Sequence, residues 1–476
     1  MLFQSWEYLV LLTISLLSVI FVRSVTIKQA AILIFSVIFY TYGGTWQILL
    51  FLLVITLAFF SGIIVSKIKN KYVFIMLICV LFFPLFLYKY IPFLLVEFLG
   101  TAAIPLTERF ILPIGISFYT FQTVGYVIDV YRDSAQVERN YLTFACFVSF
   151  FPQLVAGPIE RSSNLMPQIK KFEKPLEIEY SVGFRHILLG LCLKLLVAET
   201  MAEFVNPIYN NLSDKGGLAV LIATFCFGIQ IYCDFNGYTQ IAIGSAKLMG
   251  IDLMQNFDHP YRANSISVFW RKWHISLTTW FRDYVYIPLG GNRCGTEKMI
   301  RNTIITFFVS GIWHGANWTF ALWGFANGVA IALEKQLNKL FDSQNKYSLF
   351  RSLVTYVSIN LFWVLFRANS IQDALRAYQL IFFDTLPQLF SLNSLGKIMN
   401  FALRENGWSN SMILPLISSV FVYIWYEYGS LFNKDMMQLL SSNKWYVRWG
   451  IYILLILVTL FFGKTLEQSS FVYFRF

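Results

Sequence analysis

An all-α, polytopic membrane fold is what the sequence predicts, on three observations. Apolar residues make up 57% of the 476-residue chain and charged residues only 13%, about half the roughly 25% of an ordinary soluble domain. The mean hydropathy is +0.60. Runs long enough to cross a hydrocarbon core of about 30 Å, which takes roughly 20 helical residues, recur along almost the whole length. Roughly ten to twelve spans are expected, counting short and re-entrant segments.

The first run, Tyr8–Val22, follows Glu7 and not a basic stretch, and no Ala-x-Ala-like site succeeds it. It reads as a retained helix and not a cleaved leader. Arg23 and Lys28 follow this run, and Lys67, Lys69 and Lys71 follow the third, whereas the intervening connection Gly43-Gly44-Thr45 is uncharged. The positive-inside rule therefore places both basic loops in the cytoplasm and the N-terminus outside. Residues 1 to about 100 are nearly pure hydrophobic helix and read as scaffold. From 101 to 334 the character changes, with polar residues, glycines and tryptophans clustered inside apolar runs, and function is expected there. Residues 335–476 supply further spans, a loop near Ser391–Asn410 and an aromatic tail, all within one membrane domain, 1–476.

The net charge of +11 raises nucleic acid as a partner, but the basic residues are scattered through short loops and form no run of five. Loop bias explains them, so no nucleic-acid partner is expected. Six cysteines lie mostly inside apolar runs with no CxxC pair, which argues against a disulfide framework or a zinc site.

Ser267–Ile287 is too polar to face lipid, yet Trp270, Trp273, Leu277, Trp280 and Tyr284 recur at three- and four-residue steps. That spacing predicts one amphipathic helix at the cytoplasmic interface, with His274 one turn from Trp270. The next segment, Arg301–Leu333, predicts a long apolar helix carrying His314 near its middle. An imidazole at bilayer depth is a functional-site hypothesis by default. The two histidines could converge on one cavity, where a neutral imidazole takes the proton of a hydroxyl as it attacks an acyl carbon. The plain alternatives are a packing histidine at 314 and an interfacial anchor at 274.

Neither histidine has a histidine or carboxylate four residues away on its helix, so a metal reading is weak. Gly311 and Gly315, like Gly324 and Gly328, form small-xxx-small pairs that close helix packing explains. Asp234, in the apolar context Ile231-Tyr232-Cys233-Asp234-Phe235, must be paired or hydrated. Arg271, Lys272, Arg282, Arg293, Lys298 and Arg301 crowd around the histidines and could attract a phosphate-rich donor. No Rossmann fingerprint or GxSxG elbow appears, and Gly463-Lys464-Thr465 is no P-loop because Val458 stands where glycine is required.

Six segments together resemble a known family. They are Leu112-Pro113-Ile114-Gly115-Ile116-Ser117-Phe118, Phe151-Pro152-Gln153-Leu154-Val155-Ala156-Gly157-Pro158, Asp234-Phe235-Asn236-Gly237-Tyr238, Phe269-Trp270-Arg271-Lys272-Trp273-His274, Tyr286-Ile287-Pro288-Leu289-Gly290-Gly291-Asn292-Arg293 and Gly311-Ile312-Trp313-His314-Gly315. The chain is similar to membrane-bound O-acyltransferases, in the bacterial branch that O-acetylates alginate and peptidoglycan, and more distantly to the teichoic-acid D-alanylation enzyme. Asn236 stands where related chains often have serine, and Lys272 where arginine is common.

The resemblance implies helices around a central tunnel from a cytoplasmic donor funnel to an outer cavity, with His314 as the essential histidine and His274 as the second active-site residue. Trp270, Arg271, Asp283, Asn292, Arg293, Trp313, Asn317 and Asp234 are the substrate-binding residues expected beside them. It implies acetyl-coenzyme A as a donor substrate, with no permanently bound cofactor. It also implies an SGNH-type O-acetyltransferase partner outside the bacterial inner membrane and a glycan as final acceptor. Phe471-x-Tyr473-x-x-Phe476 resembles an aromatic motif of the family or its small partners, with Tyr473 as an acyl relay. The same fold fed by an acyl or D-alanyl carrier protein is one alternative. A proton-coupled transporter or scramblase using His314 is another.

Overall fold

The structure is a computed structural model that describes residues 1, 3–42, 44, 46–100, 110–155, 157–340, 348–392, 410–432, 436–442 and 444–464. Tyr473 and the aromatic tail, most of the 391–410 loop, and Gly43, Thr45 and Ala156 lie outside the described residues.

Every element is helical among the described residues, and they fall into two compact units. The first comprises Met1–Ile187 and Tyr238–Asn256. It opens with α1 (Trp6–Phe21), α2 (Val25–Thr41) and α3 (Gln47–Lys67), followed by α4 (Lys71–Leu85) and α5 (Ile91–Leu99), which a π turn joins into one long span. Then come α6 (Ile116–Tyr131), α7 (Tyr141–Ser149), the single turn α8 (Phe151–Leu154) and α9 (Ser162–Lys171). Its motif residues serve cohesion: the Gln122 and Gln153 side-chain amides both donate to the Phe147 carbonyl, at 2.8 and 2.9 Å. Those bonds satisfy polar groups buried in an apolar core, where an unmet one costs about 1–3 kcal/mol.

Two helices straddle the unit boundaries, α10 (Glu177–Leu191) and α12 (Gly217–Leu248), with α11 (Glu199–Tyr209) between them. The second unit, Leu188–Gly237 and Phe257–Phe476, adds the short α13 (Ile266–Lys272) and α14 (Ile275–Phe281), then α15 (Thr296–His314), α16 (Trp318–Leu340) and α17 (Leu349–Arg367). It finishes with α18 (Ile371–Gln379), α19 (Thr385–Leu392), α20 (Ile413–Tyr428), α21 (Met436–Leu440) and α22 (Trp445–Phe462). In α22 only Leu455 is buried, as befits a helix apolar on all sides that faces lipid.

Among the described residues, five helices are long and apolar enough to cross a membrane, and α1 and α2 are shorter apolar helices. Other hydrophobic runs are interrupted by π turns or backbone breaks. Two breaks change the sequence-based picture. The amphipathic stretch is not one helix, because it divides at Trp273–His274 into α13 and α14. The 301–333 run also divides, because α15 ends at His314 and Gly315 is extended (φ −157°, ψ 145°) before α16 begins. His314 therefore terminates a helix where mid-helix had been expected.

Helices α15 and α16 form an antiparallel hairpin with backbones in near contact. A Cβ on Gly311 would lie 2.2 Å from the Phe320 carbonyl oxygen and 3.1 Å from Gly324 Cα. One on Gly324 would lie 2.3 Å from the Phe307 oxygen, and one on Gly328 2.9 Å from Ile304 Cα. The small residues are there so that the helices can touch. Gly315 differs, packing on the Phe320 ring instead.

Candidate functional site

The α15–α16 hairpin, α13 and α14 enclose a 270 Å³ cavity with both histidines in its wall. Ser265 caps α13 through its side chain, accepting from the Val268 N–H at 3.1 Å. The Glu334 carboxylate from α16 accepts from the Ile266 and Ser267 N–H groups, each at 3.0 Å. A carboxylate at a helix N-terminus meets both the orphan donors and the dipole, so Glu334 pins α13 to the hairpin. Asn327, fully buried, accepts from the Trp270 indole at 3.1 Å and donates to the Trp323 carbonyl at 2.9 Å.

His274 sits at the α13–α14 break with φ 44° and ψ 55°, a left-handed conformation in a non-glycine residue. Such a conformation costs on the order of 1–3 kcal/mol and persists only where surroundings impose it. Here Phe235 meets the ring edge-on at 4.6 Å and Trp313 packs at 6.3 Å. His274 lies in none of the five spans. Its complete burial pushes the ring pKa down to about 3, so it is neutral at physiological pH.

His314 is enclosed by Trp313 at 4.9 Å, Trp323 at 5.2 Å and Phe366 at 5.5 Å. Trp313 thus touches both imidazoles. Trp323 stacks on Trp363 at 5.8 Å, and the Trp363 indole donates to the Tyr261 hydroxyl at 3.1 Å. The result is an aromatic cage with an open side toward the cavity. Thr303, Thr306 and Ser310 add hydroxyls along α15, and Arg271, Arg282 and Lys335 supply its cations.

The expected substrate-binding residues divide into four groups. Trp270, Arg271 and Asn292 line the cavity with the histidines. Asn292 follows a turn whose Gly290 and Gly291 have φ of 110° and 57°, conformations that glycine adopts without a Cβ clash. Buried Asn302 ties that turn to α15 by donating to the Leu289 and Gly291 carbonyls. Trp313 packs on the imidazoles without lining the cavity, and Asp283 pairs with Arg282 at 2.8 Å. Arg293 is exposed and lies outside the lining.

Asp234 and Asn317 lie elsewhere in the unit. Asp234 is 2.5 Å from the Lys194 ammonium, which is also 2.5 Å from Glu199. Both Asp234 and Lys194 are 1% exposed, so a buried ion pair occupies this carboxylate. Asn317 lines a second cavity, of 420 Å³, with Asn206, Asn210, Gln230, Phe320 and Arg367. The first cavity runs along α15 from Thr303 to His314 and takes Ile331 and Lys335 from α16, whereas the second takes Ala316, Asn317 and Phe320 at the hairpin turn.

Sequence reasoning missed Lys335, although its four-residue step from Ile331 along α16 puts both on one face. It also overcounted the basic cluster, because Lys272 is held by Asp258 at 2.9 Å and neither Lys298 nor Arg301 reaches the cavity.

Comparison with known proteins gives the arrangement a lineage. The chain is 40% identical over 283 residues to the "Probable alginate O-acetylase AlgI" of Pseudomonas putida, covering 60% of this chain and 58% of that one. It is 35% identical over 305 residues to the "Peptidoglycan O-acetyltransferase" of Helicobacter pylori, covering 57% and 56%. With the "Teichoic acid D-alanyltransferase" of Bacillus subtilis the figures are 27% over 309 residues, covering 60% and 71%. The chain thus spans a little over half the length of the first two relatives. Residues 130–371, which include both histidines and most of the lining of both cavities, match the model of one family. With that match covering half of the sequence, the chain belongs to the membrane-bound O-acyltransferase family.

Proposed function

We propose that this protein moves an acyl group, acetyl from cytoplasmic acetyl-coenzyme A, across the bacterial inner membrane for O-acetylation of an extracytoplasmic polysaccharide. The observation that carries the reading is the cavity that holds two enclosed histidines together with Arg271, Arg282 and Lys335 in its lining. Cations there attract a donor rich in phosphate, and 270 Å³ suits the thioester end of such a donor better than a whole sugar chain.

In the proposed step the acceptor oxygen attacks the thioester carbonyl carbon while His314 removes its proton. The C–S bond then breaks, and the coenzyme A thiolate leaves with the proton that His314 took. Neutral His274 donates a hydrogen bond to the carbonyl oxygen as negative charge develops there. Its burial suits that role, because a neutral ring keeps one N–H donor.

Tyr473 is the proposed first acceptor, passing the acetyl group to an SGNH-type partner outside the membrane. Lys464 lies 2.6 Å from Glu203 on α11, whose Asn206 lines the second cavity together with Asn210 just past the helix end. Orientation with the N-terminus outside fits the basic loops.

The test is acetyl transfer from radiolabelled acetyl-coenzyme A by the purified protein in nanodiscs. Wild type is expected to cleave the thioester and retain label. His314→Ala should lower cleavage about 10²–10⁴-fold, and Tyr473→Phe should lose retained label while folding normally. Retained label in Tyr473→Phe would refute the relay. Absence of cleavage by wild type, with partner proteins added, would move the donor to a carrier-protein thioester.

A further inference from the structure

Glu427, near the end of α20, is a fully buried carboxylate that the acyl-transfer step does not use. Its Oε2 accepts from the Tyr232 hydroxyl of α12 at 2.9 Å and from His259 Nδ1 at 3.2 Å, and its Oε1 accepts from the Tyr261 N–H at 3.1 Å. A carboxylate out of water is costly unless its lone pairs are met. Here the donors come from α12 and from the segment Phe257–Tyr261 that leads into α13. His259 has φ 44° and ψ 64°, a left-handed conformation that the bond to Glu427 helps to hold.

That segment reaches the break at His274 by two routes. The Asp258 N–H donates to the Lys272 carbonyl at 3.0 Å, and the Asp258 carboxylate pairs with the Lys272 ammonium at 2.9 Å. The rings of Phe257, Tyr232 and Tyr261 pack on Trp273 at 5.1, 5.8 and 6.2 Å. Lys272 and Trp273 are the two residues before His274. The backbone that turns left-handed at 274 is therefore tied to one that turns left-handed at 259, and Glu427 anchors the latter. It does so from beyond residues 130–371, the stretch that matches the family model.

We infer that Glu427 is a positioning residue for His274. By holding Tyr232, His259 and Tyr261 together, it fixes the segment against which α13 ends and His274 turns into the cavity. Its kinetic consequence rests on the acyl-transfer reading, whereas its consequence for the break does not.

The experiment compares wild type, Glu427→Gln and Glu427→Leu as full chains in nanodiscs. Leucine leaves three donors unmet, whereas glutamine keeps an oxygen for the Tyr261 N–H and puts an amide nitrogen where Oε2 was, so its effect should be intermediate. Hydrogen–deuterium exchange read by mass spectrometry should rise over residues 273–281, where the Thr278 N–H donates to the His274 carbonyl at 2.9 Å. The rise should be about tenfold in Glu427→Leu and about threefold in Glu427→Gln, with α15 and α16 at the wild-type level. With acetyl-coenzyme A, kcat should fall by about the same factors while KM stays within about twofold. Unchanged exchange over 273–281 overturns the inference, and so does an equal rise in α15 and α16, which would make Glu427 a residue of general packing. A wild-type kcat in folded Glu427→Leu also overturns it. If Glu427→Leu does not fold, Glu427→Gln decides by the same comparisons. If wild type cleaves no acetyl-coenzyme A, the acyl-transfer reading fails separately, and the exchange measurement still decides whether Glu427 holds the break.

Discussion

His314 and His274 both stand at interruptions between helices, yet the interruptions are built by different means. His314 ends a 19-residue helix, and the extended Gly315 after it carries no left-handed strain. Its position comes from backbone packing, since the glycines of the α15–α16 hairpin let two helices touch. His274 adopts a left-handed conformation between two helices of seven residues each, and side chains on several elements hold it there. One histidine is placed by main chain and the other by enclosure, so the two should fail differently when perturbed.

The largest effect is expected from the hairpin. Gly311→Val puts carbon atoms where the Phe320 carbonyl and Gly324 already sit, and overpacking of this kind costs about 1–3 kcal/mol or more. Thermal unfolding in detergent should shift down, and acyl transfer should fall with it. An unchanged melting temperature would show that the helices do not rely on that contact. A smaller and more selective effect is expected at the other break. Asparagine tolerates the left-handed region, so His274→Asn should fold with a modest loss of stability while transfer drops on the order of 10²-fold. Transfer at the wild-type rate would reduce His274 to a packing residue.

The smallest effect is in the pH dependence of stability. The folded ring, at about 3, lies below the ordinary histidine value of 6.5, so below about 6.5 the unfolded chain binds a proton that the folded chain refuses. Wild-type stability should therefore decline as pH falls from 6.5 toward 3, and more steeply than that of His274→Asn. Parallel melting curves across that range would contradict a neutral buried ring.

Hydropathy made the helical membrane class legible, because lipid imposes long apolar runs. The histidine pair was legible because buried imidazoles are costly in such runs. The break at Trp273–His274 was not, since Trp270, Trp273, Leu277, Trp280 and Tyr284 keep a helical step straight through it. A single left-handed residue leaves the side-chain pattern almost unaltered. The break after His314 had a local sign in Gly315, a residue type common just past a helix end, but glycine also serves close packing and was read that way. Asp234 was legible as a carboxylate needing a partner, whereas Lys194 as that partner was not, because only the fold brings α12 beside the segment after α10.

The Lys194–Asp234 pair bears on how the protein is made. A lysine or aspartate at the centre of a helix entering the bilayer by itself costs about 2.5–3.5 kcal/mol. Lys194 lies in the apolar segment Cys192–Ala198 and Asp234 in α12, which the ribosome delivers later. The earlier segment therefore leaves the ribosome with its ammonium short of its final partner. Glu199, five residues on, accompanies it from the start, whereas the Asp234 contact waits for synthesis of α12, which couples the settling of this segment to a helix made later.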